Sequence, residues 1–291
     1  MTPTVTPPGE GEVIYDHPVG GIRLLAGGEH VVVSEIRLGP GNDGPAPHIH
    51  ETHSDGFYVL DGEVTVRLGA DEHPLAKGGF VMIPPGVVHT VRNTGDADVL
   101  LLNIHAPGAG FDSYLRAGRD GDQEARERFD QLPAPADGGR SAADAKLVPP
   151  GEGERLALGP TSSVFKATGD DGDAHVSLSE GTLAPGFQGP PPHVHRTFAD
   201  SFYVLEGTLT LLVGGETVAA EPGTYALVPA GVVHTFSNAS AAPVRVLNLM
   251  APGGFERYLR EVVAAASDGA PPDPALMAEI ASRYDFEPVA S

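Results

Sequence analysis

The chain has 291 residues, 39 Asp and Glu against 18 Lys and Arg, a formal net charge of −21, and no cysteine. A surface this acidic repels phosphate backbones and anionic lipid headgroups, which argues against nucleic-acid and membrane partners. Without cysteine there are no disulfides, thiolate metal sites or thiol nucleophiles, so any metal must be held by nitrogen and oxygen.

The length suits two domains, each long enough to bury a core. No apolar run approaches the roughly 18–20 residues that span a bilayer. The opening Met1-Thr2-Pro3-Thr4-Val5-Thr6-Pro7-Pro8 has neither the basic nor the apolar region of a signal peptide, so a cytoplasmic protein is expected. Glycine (38) and proline (28) fall between short runs rich in Val, Leu and Ile, the pattern of many short strands and tight turns. An all-β chain is expected.

In chain order, the first informative segment is His48-Ile49-His50. Residues two apart on a strand share a face, so both imidazoles point the same way, and in a small barrel that way is inward. Asp55 follows, opening a strand over Phe57 to Leu60. The turn Asp61-Gly62 then leads into Val64 to Leu68 and reads as a hairpin. A third histidine, His89, comes after the turn Pro84-Pro85-Gly86. Phe111 to Arg116 and Glu124 to Phe129 carry helical spacing. Leu132 to Ser141 is small, polar and broken by proline, so it reads as a linker.

The pattern then recurs. His193-Val194-His195 lies over His48-Ile49-His50 at a lag of 145 residues, which persists without insertion as far as Asn248 over Asn103. Asp200 lies over Asp55, Phe202 to Leu205 over Phe57 to Leu60, and Glu206-Gly207 before Leu209 to Val213 over Asp61-Gly62 before Val64 to Leu68. Pro229-Ala230-Gly231 and His234 complete the copy. A period this long marks a duplicated domain rather than a solenoid. The boundary is placed near residue 140, giving domains 1–140 and 141–291. At the end, Phe255, Tyr258, Leu259, Val262, Val263 and Ala266 form one helical stripe expected to pack on its barrel, and a second helix begins after Pro274.

Two imidazoles from one strand, a third from a distant strand and a nearby carboxylate make an N/O set suited to a divalent first-row metal. The candidate ligands are His48, His50, His89 and Asp55 in the first half and His193, His195, His234 and Asp200 in the second. His53 has Phe198 as its counterpart and is expected to be an exposed loop residue. His17, His30, His73, His105 and His175 lack the motif spacing and are expected at the surface or barrel ends. Phe57, Val66, Met82 and Val91, with Phe202, Leu211, Leu227 and Phe236, are expected to line the two interiors, with no inward arginine.

These spacings resemble the two motifs of the cupin superfamily. The second motif, G-x5-P-x-G-x2-H-x3-N, is met in full by Gly78, Pro84, Gly86, His89 and Asn93, and by Gly223, Pro229, Gly231, His234 and Asn238. The first, G-x5-H-x-H-x(3,4)-E-x6-G, is met at His48, His50 and Gly62, and at His193, His195 and Gly207. It departs in two places: the leading glycine is one residue early, at Gly41 and Gly186, and the glutamate is Asp55 or Asp200. The chain is most similar to bicupins of the quercetin 2,3-dioxygenase-like group, whose strands often read F-Y-V-L-E-G.

That resemblance implies two double-stranded β-helix (jelly-roll) barrels with short flanking helices, and one divalent transition metal per barrel, iron, nickel, manganese or cobalt. It also implies dioxygen chemistry on an aromatic or enolic small molecule, flavonol- or polyketide-like. A redox-neutral isomerase or cyclase and a non-enzymatic small-molecule-binding cupin are the alternatives. Aspartate is one methylene shorter than glutamate, so Asp55 and Asp200 either ligate the metal or stand behind it as general bases that take a proton from a coordinating substrate. Because one chain already carries a barrel pair, either a monomer or a homodimer is expected.

Overall fold

The computed structural model describes residues 2–126, 128–171, 173, 175–267 and 270–289. Its strands assemble into two compact units, Glu10–Glu152 with Asp171–His175, and Met1–Gly9 with Gly153–Asp170 and Val176–Ser291.

In the first unit one antiparallel sheet runs Lys146–Val148, Phe80–Ile83, Ser54–Asp61, Val99–Ala106, Val32–Leu38, Gly20–Ala26, Glu12–His17. The other runs Leu132–Pro133, His48–Ile49, His89–Arg92, Glu63–Leu68, Asp71–Ala76. Alternation along Glu63–Leu68 buries Val64, Val66 and Leu68 and turns the residues between them outward. Those three join Phe57, Val59, Val81, Ile83 and Leu101 of the larger sheet in one core between the two sheets. The second unit repeats the plan. Its core takes Phe202, Val204, Ala226, Val228 and Val246 from one sheet and Leu209, Leu211 and Val213 from the other.

Several expectations change here. The turns at Gly62 and Gly207 are not hairpins. Ser54–Asp61 already has a neighbour on each side, Val99–Ala106 and Phe80–Ile83, so Glu63–Leu68 pairs with His89–Arg92 and Asp71–Ala76 in the other sheet. Gly62 (φ +79°) and Gly207 (φ +78°) are therefore the corners at which the chain changes sheets, in a left-handed conformation that glycine adopts without strain. On Phe80–Ile83 it is Val81 and Ile83 that enter the barrel core, while Met82 between them is buried on the opposite face. Leu227 is displaced in the same way between Ala226 and Val228.

The segment read as a linker is partly structural. Leu132–Pro133 adds to the edge of His48–Ile49, where a proline without an N–H is tolerated, and Arg140 N donates to Gly86 O at 2.8 Å. A cut near residue 140 separates the two repeats but not the two packed units. Thr4–Thr6 pairs with Tyr225–Val228, and Lys146–Val148 with Phe80–Ile83, so that each of those otherwise open strands is covered at its edge. Helices stand at Phe111–Asp120, Glu256–Ala265 and Pro274–Ala281 where the spacing puts them, whereas in the stretch Glu124 to Phe129 the helix is Gln123–Arg126, Glu127 lies outside the described residues and Phe129 is not helical. The stripe of Glu256–Ala265 meets the next helix as well as the barrel: Tyr258 and Val262 cluster with Ile280, Ala281 and Phe286. Among the described residues no helix is long and apolar enough to cross a membrane.

Candidate metal centres

The turn before His89 is tied to the His-x-His segment by Gly86 N, which donates to His50 O at 2.7 Å, and His89 stands directly opposite His48 across the antiparallel pair. Gly231 N to His195 O (2.6 Å) and His234 opposite His193 reproduce this in the second unit. The motif's terminal asparagine is a staple. Asn93 Nδ2 donates to Leu38 O and Ala97 O and its Oδ1 accepts from Gly95 N, and Asn238 makes the equivalent bonds to Leu183 O, Ala242 O and Ser240 N. One ligand-capable atom each of His48, His50, Asp55 and His89 lies within 4.8 Å of the others, and so does one nitrogen each of His193, His195 and His234. All of these side chains are buried.

In every one of the six imidazoles Nδ1 faces a backbone carbonyl. His48 Nδ1–H donates to Ala46 O (3.0 Å) and His89 Nδ1–H to Val87 O (2.9 Å), with His193 to Pro191 O (2.9 Å) and His234 to Val232 O (3.1 Å) alongside. His50 and His195 donate to the carbonyls of Asp130 and Asp285. A ring anchored through one nitrogen is held in the tautomer whose other nitrogen carries the lone pair, which is how proteins present imidazole to a metal. His50 Nε2 is buried without a hydrogen-bonding partner, a costly state that a cation would relieve. The donor set and its orientation therefore fit a divalent ion.

Asp55 sits among these rings, with Oδ2 3.3 Å from His89 Nε2 and 3.7 Å from His50 Nε2, while Oδ1 accepts from Asn103 Nδ2 at 2.6 Å. Asp200 repeats this, 3.2 Å from His234 Nε2 and held by Asn248 Nδ2 at 2.6 Å. Only Asp55 falls within the 4.8 Å grouping of its triad. Burial pushes the Asp55 carboxyl up, but the surrounding His105, His50 and His89 outweigh it and hold the group well below the usual carboxylate range. Burial pulls His48 down to about 4, with His89 and His50 adding to it, and His193 likewise to about 4. Burial also lowers His195, whereas His50 ends raised because its contacts with Asp55 and Asp130 offset the desolvation.

The sequence reading missed the pieces that hold these rings. Asp130 accepts from Glu51 N (2.6 Å), Thr52 N (2.7 Å) and Thr52 Oγ1 (2.6 Å) through its carboxylate while its carbonyl takes His50. Asp285 does the same for Arg196 N, Thr197 N and Thr197 Oγ1. The available signal was an aromatic-Asp-x-x-Pro pattern, Phe129-Asp130-Gln131-Leu132-Pro133 and Tyr284-Asp285-Phe286-Glu287-Pro288, which lies outside the uninterrupted repeat. Two histidines expected outside the interior are inside it: His53 is 1% exposed and His105 2% exposed. His53 is drawn in by Asp130 and by stacking on His50 (4.1 Å), and His105 by stacking on Phe111 (3.4 Å). His17 is exposed, and His30, His73 and His175 are half-buried.

Above the first triad is a cavity of about 490 Å³, walled by Ile22, Ile36, Phe57, Val91, Phe111 and Leu115, with His48, His50, Asp55, Asn103 and His105 also lining it. Arg37 and Arg119 reach its lining, contrary to the expectation of no inward arginine, yet each is spent on carboxylates, Asp98 and Asp16 for Arg37 and Glu12 and Asp120 for Arg119.

A cupin domain model matches residues 34–105 and again 179–250. The chain is 28% identical over 258 residues to quercetin 2,3-dioxygenase of Bacillus subtilis (strain 168), covering 78% of this chain and 75% of that protein. Solved structures with a similar fold include protein Ylba from E. coli, at 14% identity and a TM-score of 0.60 over 86% of this chain and 90% of that one. Oxalate decarboxylase from Bacillus subtilis matches at 15% identity and a TM-score of 0.61 over 87% and 77%. An 11S globulin from Wrightia tinctoria matches at 12% identity and a TM-score of 0.59 over 86% and 83%, so likeness at this level speaks to architecture alone.

Proposed function

The chain belongs to the cupin superfamily as a bicupin, and from that premise we propose that it is a metal-dependent dioxygenase acting on a flat aromatic or enolic small molecule, with one divalent ion in each barrel. The observation that carries the reading is the carboxylate of Asp55, held by Asn103 through one oxygen and lining, beside the imidazoles, a largely apolar cavity. About 490 Å³ is the size of a pocket for a multi-ring ligand. Its arginines are already neutralised, so a small dianion such as oxalate would find no free cationic clamp.

When bound, a divalent ion supplies Lewis acidity that lowers the pKa of a coordinating hydroxyl. Asp55, a carboxylate with one oxygen engaged by Asn103, takes the released proton on the other oxygen. The apolar walls formed by Ile22, Ile36, Phe57, Val91, Phe111 and Leu115 give a planar apolar ring surface to pack against beside the imidazoles. Asp200, held in the same manner by Asn248, is the equivalent base in the second barrel.

The same proton transfer would serve a redox-neutral isomerase or cyclase, and turnover without oxygen separates the two. Oxygen uptake stoichiometric with loss of a flavonol or related enol, absent under argon, is the expected result. Equal turnover under argon would replace the dioxygenase with the isomerase, and metal-free protein that takes up no ion would remove both.

A further inference from the structure

Beside the set formed by His48, His50, Asp55 and His89, the first barrel buries the two additional imidazoles of His53 and His105. One nitrogen of each, with one of His50, lies within 4.8 Å of the others. Their rings are fixed from behind. His53 Nδ1 is 2.9 Å from Asp130 Oδ2. His105 Nε2–H donates to Asn103 Oδ1 at 2.9 Å, and that amide is held in place because its Nδ2 donates to Asp55 Oδ1. The nitrogens on the far sides, His53 Nε2 and His105 Nδ1, are buried with no hydrogen-bonding partner, as is His50 Nε2. His50 and His105 each have one nitrogen hydrogen-bonded to a carbonyl or amide oxygen and one bare, while both nitrogens of His53 lack a hydrogen bond, Nδ1 lying within ion-pair distance of Asp130, so each ring has a nitrogen to offer a metal. Bare nitrogens on three buried rings that come within reach of one another carry a desolvation cost that one cation would remove.

We propose that the first barrel contains a second position for a divalent transition-metal ion, formed by His50, His53 and His105. The ion occupies it in alternation with the neighbouring position, because His50 is common to both sets. An all-imidazole set favours cobalt, nickel, copper or zinc over manganese. Among the described residues the second barrel offers one position, since Phe198 and Met250 occupy the corresponding places and Phe198 stacks on His195 at 4.1 Å. The inference rests on the metal reading above for the first position and is independent of any substrate.

The test uses cobalt(II) binding followed by absorption and elemental analysis on the full chain. His193→Ala with His234→Ala empties the second barrel and leaves one ion per chain. Adding His48→Ala and His89→Ala is expected to leave that one ion in place, with a changed absorption spectrum, and adding His53→Phe and His105→Met, the residues of the second barrel, to remove it. Loss of cobalt at the four-alanine stage, with the circular dichroism of the fold unchanged, overturns the proposal. If that protein does not fold, anomalous diffraction from cobalt-soaked wild type decides: a peak about 2.0–2.1 Å from His53 Nε2 and His105 Nδ1 supports the second position, and water there overturns it. Wild type that takes up no cobalt in either barrel refutes the metal reading itself, whereas two ions in wild type and none in the four-alanine protein refute the second position only.

Discussion

Asp130→Ala separates the ligands of the first barrel from what orients them. The carboxylate accepts three bonds, from Glu51 N, Thr52 N and Thr52 Oγ1, at 2.6–2.7 Å. Glu51 and Thr52 are exposed, so water replaces part of what is lost, and about 1 kcal/mol per bond, or roughly 3 kcal/mol in all, is the expected fall in stability. With the loop freed, the carbonyl that accepts from His50 Nδ1 loses its fixed position, and loss of such a backing contact typically weakens a metal site by about 10–100-fold. Cobalt competition against a chromophoric chelator reads the two barrels as two phases, of which only one should weaken. Urea unfolding of the metal-free protein gives the stability term. Asp285→Ala is the companion: Phe198 replaces His53 there, so its effect on the second phase reports the carbonyl contact of His195 alone. If both phases stay within about twofold of wild type while stability drops, these aspartates close a loop and do nothing for the imidazoles.

Asp55→Asn should keep cobalt bound while lowering oxygen uptake with an enolic substrate by about 10²–10⁴-fold; loss of the ion instead would make Asp55 a ligand rather than a base. In the metal-free protein His48 and His193 have folded pKa values of about 4 against 6.5 for the free side chain, so the unfolded chain binds more protons between those limits. Their contribution is whole above pH 6.5 and is lost as pH falls toward 4, up to about 3 kcal/mol for each. Burial also pushes His195 down in the second barrel and, in the first, His53 to about 4 and His105 well below its ordinary value, while His50 moves up, so hydrogen exchange should show both barrels losing protection as pH falls from 6.5 toward 4; protection unchanged over that range would contradict the assignment. Gly44→Ala and Gly189→Ala should each cost about 3 kcal/mol or more in thermal or urea unfolding. A Cβ would stand 1.8 Å from Val91 O or Phe236 O, at φ of +67° and +76°, and wild-type stability in either variant would show that the turn can move.

Much of this architecture can be read from residue order. The doubling, the inward direction of the His-x-His pairs, the third histidine after a Pro-x-Gly turn and the helices after each barrel are local or periodic features, set by the two-residue alternation of strands and the stiffness of turn residues. Which strand lies beside which is another kind of fact. Gly62 looks like a hairpin turn in sequence and becomes a corner between sheets because both edges of Ser54–Asp61 are taken by strands from far along the chain.

The same reason explains His53 and His105. Spacing from the motif makes them ordinary residues, and burial becomes visible only once Asp130, dozens of residues later, closes over the first and Phe111 stacks on the second. Sequence by itself determined the ligand types and their repetition, because those depend on side-chain chemistry and on neighbours a few positions away. The tertiary structure alone decided which oxygen anchors each ring, where Thr4–Thr6 and Lys146–Val148 pair, and that His53 and His105 are buried beside the first triad. Those depend on contacts between segments whose separation along the chain carries no periodic trace.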